Sequence, residues 1–377
     1  MLRLEPRGAT PRALLVAAPL LALAFTLAVS SLLVAWAGAP VGRAYALLLQ
    51  GGFGSRFAWT ETLTRATPLI FTGLAAAVAF RARLFNIGGE GQLYLGALAA
   101  VAVGGSQIGA GLPQWLLFVL MMTAAALAGA LLLLVPALLK SRLAVDEVVT
   151  TLLLNFIVLL FVGALLDGPM KDPSAMGWPQ SVSLPEGLQL SKLVARSRVH
   201  SGLLGALVCA AALWALMKYS TLGFEIRAVG SGARAAAFAG MPVGWVTVKV
   251  AVLSGAVAGL AGAVEVAGRA GYVTLDMSPG YGYSGIVIAM LAALHPLAVV
   301  AAAVAVAGIL VGADSMSRVV GVPTYIADVI VAVALLATLV ATMFTQYSNL
   351  RILGPCRTLN QIEPATVFSV QGKSRDF

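Results

Sequence analysis

Residues 115–139 read WLLFVLMMTAAALAGALLLLVPALL, a run without one charged side chain. A helix that crosses the hydrocarbon core of a bilayer needs about 20 apolar residues in succession. The run therefore predicts a membrane-spanning helix. Further apolar runs occupy 13–38, 66–80, 90–108, 145–166, 201–217, 245–264, 283–294, 296–312 and 323–344. The whole 377-residue chain is 60% hydrophobic and only 10% charged, with a mean hydropathy of +0.95. Soluble domains carry about 25% charged residues, so composition and pattern agree. The expected fold class is all-α: a polytopic membrane protein with nine or ten transmembrane helices, some of them short or discontinuous. The count turns on 283–294 and 296–312, which His295-Pro296 divides. Proline removes a helix hydrogen bond and disfavours helix in the residue before it. Two short helices, a hairpin dipping into the bilayer and one kinked helix all fit.

The charges set the expected organisation. Residues 1–12 form a basic N-terminus, 13–349 the transmembrane domain and 350–377 a polar tail without periodicity. The 13–38 run is longer than the apolar core of a secretory signal, about 7–15 residues, and reads as the first span. With the N-terminus inside and ten spans, 15 of the 24 Lys and Arg face inward and nine outward. That bias is the one cytoplasmic loops show. It places 167–200 as a long outside loop, 218–243 as a long inside loop, and both termini in the cytoplasm. The net charge of +9 then reflects inner loops beside the lipid bilayer. No basic run with interleaved aromatics marks nucleic acid as a partner.

Much chemistry is missing. His200 and His295 lie far apart, Cys209 and Cys356 form no cluster, and no metal site is expected. The one Gly-Lys-Ser, Gly372-Lys373-Ser374, has Val367 where a phosphate-binding loop needs its first glycine. The chain is read as no enzyme, without a bound cofactor. Acids in or near the spans are Glu90, Asp146, Glu147, Glu265, Asp276, Asp314 and Asp328. Only Asp328 sits near a span interior, and an ion-coupled carrier needs a denser set.

Four stretches stand out. Asn86-Ile87-Gly88-Gly89-Glu90-Gly91-Gln92 puts polar residues between two apolar runs. It reads either as a cavity-facing loop beside a helix N-terminus or as a tight turn whose glutamate favours the helix dipole. Glu147, Thr151 and Asn155, four apart, share one helical face. That stripe either lines a polar path or bonds to neighbouring helices. Residues 223–241 hold Gly223, Gly230, Gly232 and Gly240 around a basic, alanine-rich segment. Ala233–Ala239 is expected to form a short helix, stopped by Gly240 and kept from returning by Pro242. The small residues of 254–262 predict close helix packing.

Several of these stretches, in order, resemble permease subunits of bacterial ABC importers for nucleosides and simple sugars, the basic-membrane-protein-associated, binding-protein-dependent transport family. The resemblance rests on Phe80–Gln92, Asp146–Asn155, Gly223–Gly240 with its Arg-Ala-Val-Gly core, and Thr67–Leu74. It covers roughly residues 40–345. It implies that ATP and its magnesium bind a separate ATP-binding subunit, and that a second, related permease completes the pore. It also implies a substrate-delivering lipoprotein and residence in the bacterial inner membrane. Gly223–Gly240 would contain the coupling helix, with Gly223, Gly230 and Gly240 shaping its turns, Glu225, Arg227 and Arg234 contacting the ATPase, and Ala235 and Ala236 as its double alanine. Asn86, Glu90, Gln92, Glu147, Thr151 and Asn155 become translocation-path candidates by position. Gly232 stands where relatives often carry asparagine, and Ala292-Ala293 where they often show a Gly-Arg pair. Nucleosides are the expected solute. A simple sugar or a branched-chain amino acid is the alternative, and an ion-coupled secondary transporter the alternative of another class.

Overall fold

The computed structural model describes residues 2–6, 12–105, 111–321, short stretches between 325 and 341, and 347–352. Asp328 and the tail beyond 352 lie outside the described residues, as does much of the 323–344 run. Twelve helices follow in chain order: α1 (Arg12–Trp36), α2 (Val41–Phe53), α3 (Arg56–Arg81), α4 (Gly89–Gly104), α5 (Gln114–Leu143), α6 (Glu147–Asp167), α7 (Gly202–Tyr219), α8 (Thr221–Ser231), α9 (Ala233–Phe238), α10 (Val243–Glu265), α11 (Tyr281–Leu291) and α12 (Pro296–Val320). A π-helical turn, Val266–Ala270, prolongs α10. Two short strands, β1 (Leu2–Pro6) and β2 (Tyr347–Ile352), pair antiparallel, with Leu2 opposite Ile352.

Six helices among the described residues are long and apolar enough to cross a bilayer: α3, α5, α6, α7, α12, and α10 with its π turn. The α1–α2 pair, bent by 113°, makes a seventh if counted as one broken span. α4 and α11 are shorter, at 16 and 11 residues. Around His295-Pro296 the chain makes two separate helices. α11 ends at Leu291, Ala293 and Leu294 take left-handed conformations, and Pro296 opens α12. α12 also runs well past the end of its apolar run at 312. Asp314 interrupts the run, but an ion pair with Arg65 of α3 lets the helix continue.

α10 is the axis of the bundle and packs against α3, α4 and α5. Its approach to α5 is backbone to backbone. A Cβ on Gly255 would lie 2.8 Å from the Ala130 Cα, and one on Gly259 would overlap the Ala125 carbonyl oxygen. On the next face a Cβ on Gly262 would overlap the Leu93 carbonyl of α4. Lipid offers no hydrophobic drive between helices, so such contacts supply the van der Waals gain that holds them. α5 and α6 turn many large side chains outward, including Leu127, Leu131, Leu160 and Phe161, as expected of helices facing acyl chains. Much of the 218–243 stretch is helical: α8 buries Gly223, Ile226 and Val229 on one face, and α9 ends before Gly240, whose φ is +84°.

Gly259→Val should therefore break the α5–α10 crossing. Overpacking costs about 1–3 kcal/mol, and backbone is the obstacle here. The purified variant should unfold well below the parent temperature in mild detergent, while Gly205→Ala, where the added carbon meets open space, should match the parent. Equal unfolding temperatures for both variants would refute the close crossing.

Candidate functional site

The break between α3 and α4 is a buried polar unit. Asn86 and Gln92 join their amides twice: Asn86 Nδ2 donates to Gln92 Oε1 at 2.9 Å, and Gln92 Nε2 donates to Asn86 Oδ1 at 2.8 Å. Asn86 Nδ2 also reaches Ser254 Oγ of α10 at 3.2 Å, and that hydroxyl donates to the Ala75 carbonyl at 2.8 Å. The backbone of the break is satisfied from α6. Thr151 Oγ1 accepts from the Ile87 N–H at 3.2 Å. Asn155 Oδ1 accepts from the Gly91 N–H, and Asn155 Nδ2 donates to the Ile87 carbonyl, both at 2.8 Å. Glu147, at the start of α6, accepts from Lys140 Nζ and, at 3.4 Å, from the Phe85 N–H. Lys140 donates in turn to the Arg83 carbonyl at 2.7 Å.

Glu90 answers a separate need. The N-termini of α4 and α11 meet, and a Cβ on Gly282 would overlap the Glu90 backbone. Each helix start presents unpaired N–H groups and partial positive charge. The Glu90 carboxylate sits between them and accepts from the Gly282 N–H at 2.6 Å. The structure thus brings Asn86, Gln92, Thr151 and Asn155 into one network, with Glu90 and Glu147 at its two flanks. All six are buried within the chain.

The second candidate region is α8–α9, at the same end of the bundle as Arg83 and Lys140. Ser220 caps α8 by accepting from the Gly223 N–H at 3.0 Å. Gly230 packs on the Arg81 carbonyl, with no room for a Cβ. Arg227 donates to the Met217 carbonyl in the last turn of α7, and Glu225 meets Lys249 of α10 at 3.4 Å. Ala236 is buried, while Arg234 and Ala235 are exposed. Beside them Phe224 is 56% and Phe238 96% exposed. Sequence reasoning passed over both phenylalanines, because an apolar residue in an alanine-rich helix carries no signal until its orientation is known.

At the opposite end lies a feature the sequence did not disclose. A cavity of about 530 Å³ opens between α2, α3, α12 and the 167–200 loop. The Arg65–Asp314 pair lies on its wall, and Arg198 approaches Glu61 at 3.8 Å. Elsewhere Arg269, on the π turn, folds back one turn to pair with the fully buried Glu265.

Known proteins of the same kind bear on this arrangement. The sequence model of a family described as "Branched-chain amino acid transport system / permease component" matches residues 58–339. The chain is 37% identical to the guanosine ABC transporter permease protein NupP of Bacillus subtilis, over 84% of this chain and 91% of that one. It is also 37% identical to the glucose ABC transporter permease protein TsgB13 of Haloferax volcanii, over 92% and 93%. The nucleoside ABC transporter permease protein NupB of Lactococcus lactis is 29% identical, over 83% and 88%.

The Glu90 geometry separates two substitutions. Glu90→Gln keeps an acceptor for the Gly282 N–H and should retain most of the stability. Glu90→Ala leaves that buried donor unpaired, a loss of about 1–3 kcal/mol. Thermal unfolding of both variants in the same detergent checks the order, and equal losses would exclude the hydrogen bond as the cause.

Proposed function

This chain belongs to the family of branched-chain amino acid transport system permease components, and on that premise we propose that it forms one half of the membrane path of an ATP-driven importer for nucleosides. It is a multi-pass membrane protein of a family of transport subunits. Two of the relatives are named for guanosine or nucleosides, which supports the cargo. The glucose permease supports a second reading, a simple sugar, at the same 37% identity and over a larger share of the chain. A nucleoside carries a sugar ring too, so a hydroxyl-rich solute is common to both.

The observation that carries the reading is the α8–α9 segment. Its inner face is anchored: Gly223, Ile226 and Val229 are buried, Arg227 holds α7, and Gly230 rests on α3. Its outer face leaves Phe224, Arg234 and Phe238 exposed. A short rigid helix with exposed aromatics is what a docking element requires, since aromatic side chains dominate interface energies. In this reading α8–α9 is the coupling element. A separate ATP-binding subunit, which holds ATP and magnesium, docks on it. Its closure pushes α8 against α7 and α3, and so moves the break at Asn86–Gln92. Arg234 and Phe238 make the intersubunit contacts, while Glu225 and Arg227 transmit force within the chain. Gly240, Ala235 and Ala236 shape and pack α9.

Asn86, Glu90, Gln92, Glu147, Thr151 and Asn155 remain the path and gate residues of this proposal. Their bonds form one unit with the α3–α4 break, so a shift of that break moves all of them. A second permease completes the path, and a substrate-binding lipoprotein delivers the solute from outside. The residence proposed is the bacterial inner membrane, with both termini and α8–α9 in the cytoplasm.

Uptake of labelled guanosine by cells expressing the complete system is the test. It should persist when a proton ionophore collapses the ion gradient and stop when ATP is depleted. Unlabelled nucleosides should compete, and glucose should not. Loss of uptake with the ionophore alone would replace the importer with an ion-coupled carrier. Phe238→Ala should weaken docking of the ATPase by roughly 30-fold, the loss of one aromatic anchor worth about 2 kcal/mol, with an unchanged unfolding temperature. Normal transport and docking in that variant would remove α9 from the interface.

A further inference from the structure

A smaller cavity, about 300 Å³, opens at the end of the bundle that carries α8. Four basic side chains line it: Arg81 from the end of α3, Lys218 from the last turn of α7, Arg227 from α8, and His295 just before α12. No acidic side chain is among the lining residues. Trp214 forms an apolar wall, and Lys218 Nζ stands 4.9 Å from its ring and 5.0 Å from that of Tyr219. The like charges of Arg81, Lys218 and Arg227, on three separate helices, repel, and a fold gathers them at a cost unless something of opposite sign enters between them. Arg227 is tied to the Met217 carbonyl, a neutral acceptor that leaves its charge uncompensated. Arg81 has no ion-pair partner among the described residues.

The chemistry of the lining specifies the occupant. Guanidinium groups match the geometry of phosphate oxygens, and an ammonium group adds a point charge. α12 begins at this cavity with Pro296. Trp214 and the exposed Tyr219 are of the type that sits at the headgroup level of a bilayer. Basic pockets between membrane helices at that level suit anionic headgroups.

We propose that this cavity is a binding site for a phosphate group, supplied by the headgroup of an anionic phospholipid. The phosphate bridges Arg81, Lys218 and Arg227 and so joins α3, α7 and α8. The lipid then becomes part of the support on which α8 rests. The site does not depend on which solute is carried, and binding is measured without transport.

The test uses the full chain in lipid nanodiscs. Discs of phosphatidylcholine alone are compared with discs that also contain phosphatidylglycerol, by thermal unfolding and by the lipid retained in native mass spectrometry. Phosphatidylglycerol should raise the unfolding temperature and stay bound. The double variant Arg81→Gln/Lys218→Gln should retain it about thirtyfold more weakly, at about one order-of-magnitude step and a half for two basic groups. Lys171→Gln/Lys192→Gln, at the other end, should retain it as the parent does. If the first double variant does not fold in phosphatidylcholine discs, the single variants Arg81→Gln and Lys218→Gln are read separately. Stabilisation by inorganic phosphate in phosphatidylcholine discs, lost in the double variant, supports the phosphate site and assigns it to the soluble ion. Equal behaviour in both lipids with no effect of phosphate overturns the proposal. So does phosphatidylglycerol retention that the double variant leaves unchanged.

Discussion

A polypeptide that leaves the helical path in a buried place must find partners for its peptide groups within the protein, because neither water nor hydrocarbon supplies any there. This chain does so between α3 and α4, and the arrangement around that break follows from how the debt is met. Asn155 serves both an N–H and a carbonyl of the break, Thr151 serves a second N–H, and the Asn86–Gln92 amide pair closes the unit from within. α6 is thereby fixed beside α4, and α10 is drawn in through Ser254. The glycines of α10 then let α4 and α5 come close enough to enclose the network. A polar unit so fully bonded is stiff, and it moves as a whole or not at all.

The sequence disclosed the parts of this unit more readily than their partners. Glu147, Thr151 and Asn155 fall on one face by simple helical spacing, and the glycine-rich break is conspicuous among apolar runs. That the stripe meets the backbone of Ile87 and Gly91, more than sixty residues earlier, is a fact of tertiary packing that no local period encodes. The spans most exposed to lipid, α5 and α6, were legible because hydropathy reports what faces acyl chains. The first turns of α3 and the last turns of α12 were hidden for the converse reason. Arg65 and Asp314 interrupt the apolar runs, and their compatibility with a helix depends on each other. α2 escaped notice too, since its run is short and holds Arg43 and Gln50. In the 218–243 stretch, glycine and charge suggested loop. The positions that make α8 a helix, Gly223, Ile226 and Val229, are too few and too small to stand out before their neighbours α7 and α3 are known.

Both ends of the bundle carry ion pairs, but the cavities at the two ends differ. At the end with the 167–200 loop, arginines meet carboxylates: Arg65 with Asp314, Arg198 near Glu61, Arg269 with Glu265. At the end with α8, Lys140 pairs with Glu147 and Lys249 with Glu225, but Arg81 and Lys218 lack such partners among the described residues, and Lys218 rests on aromatic rings instead. Paired charges make a surface that is polar but nearly neutral. Unpaired ones make a surface that attracts anions over a Debye length of about 8 Å at physiological salt. Charge excess alone would orient the protein; its concentration in a cavity gives it a recognisable ligand geometry.

The ribbon of β1 and β2 has a topological consequence. Residues hydrogen-bonded as neighbours share one side of any membrane between which the rest of the chain passes. With Leu2 opposite Ile352 and Pro6 opposite Tyr347, the intervening chain must return to the side from which it left. Where the ribbon lies on one side of a membrane, complete crossings between its strands come in even number. An odd total of spanning helices requires that one apolar segment turn back within the bilayer, and the sharply bent α1–α2 pair and the 11-residue α11 are the segments shaped for that.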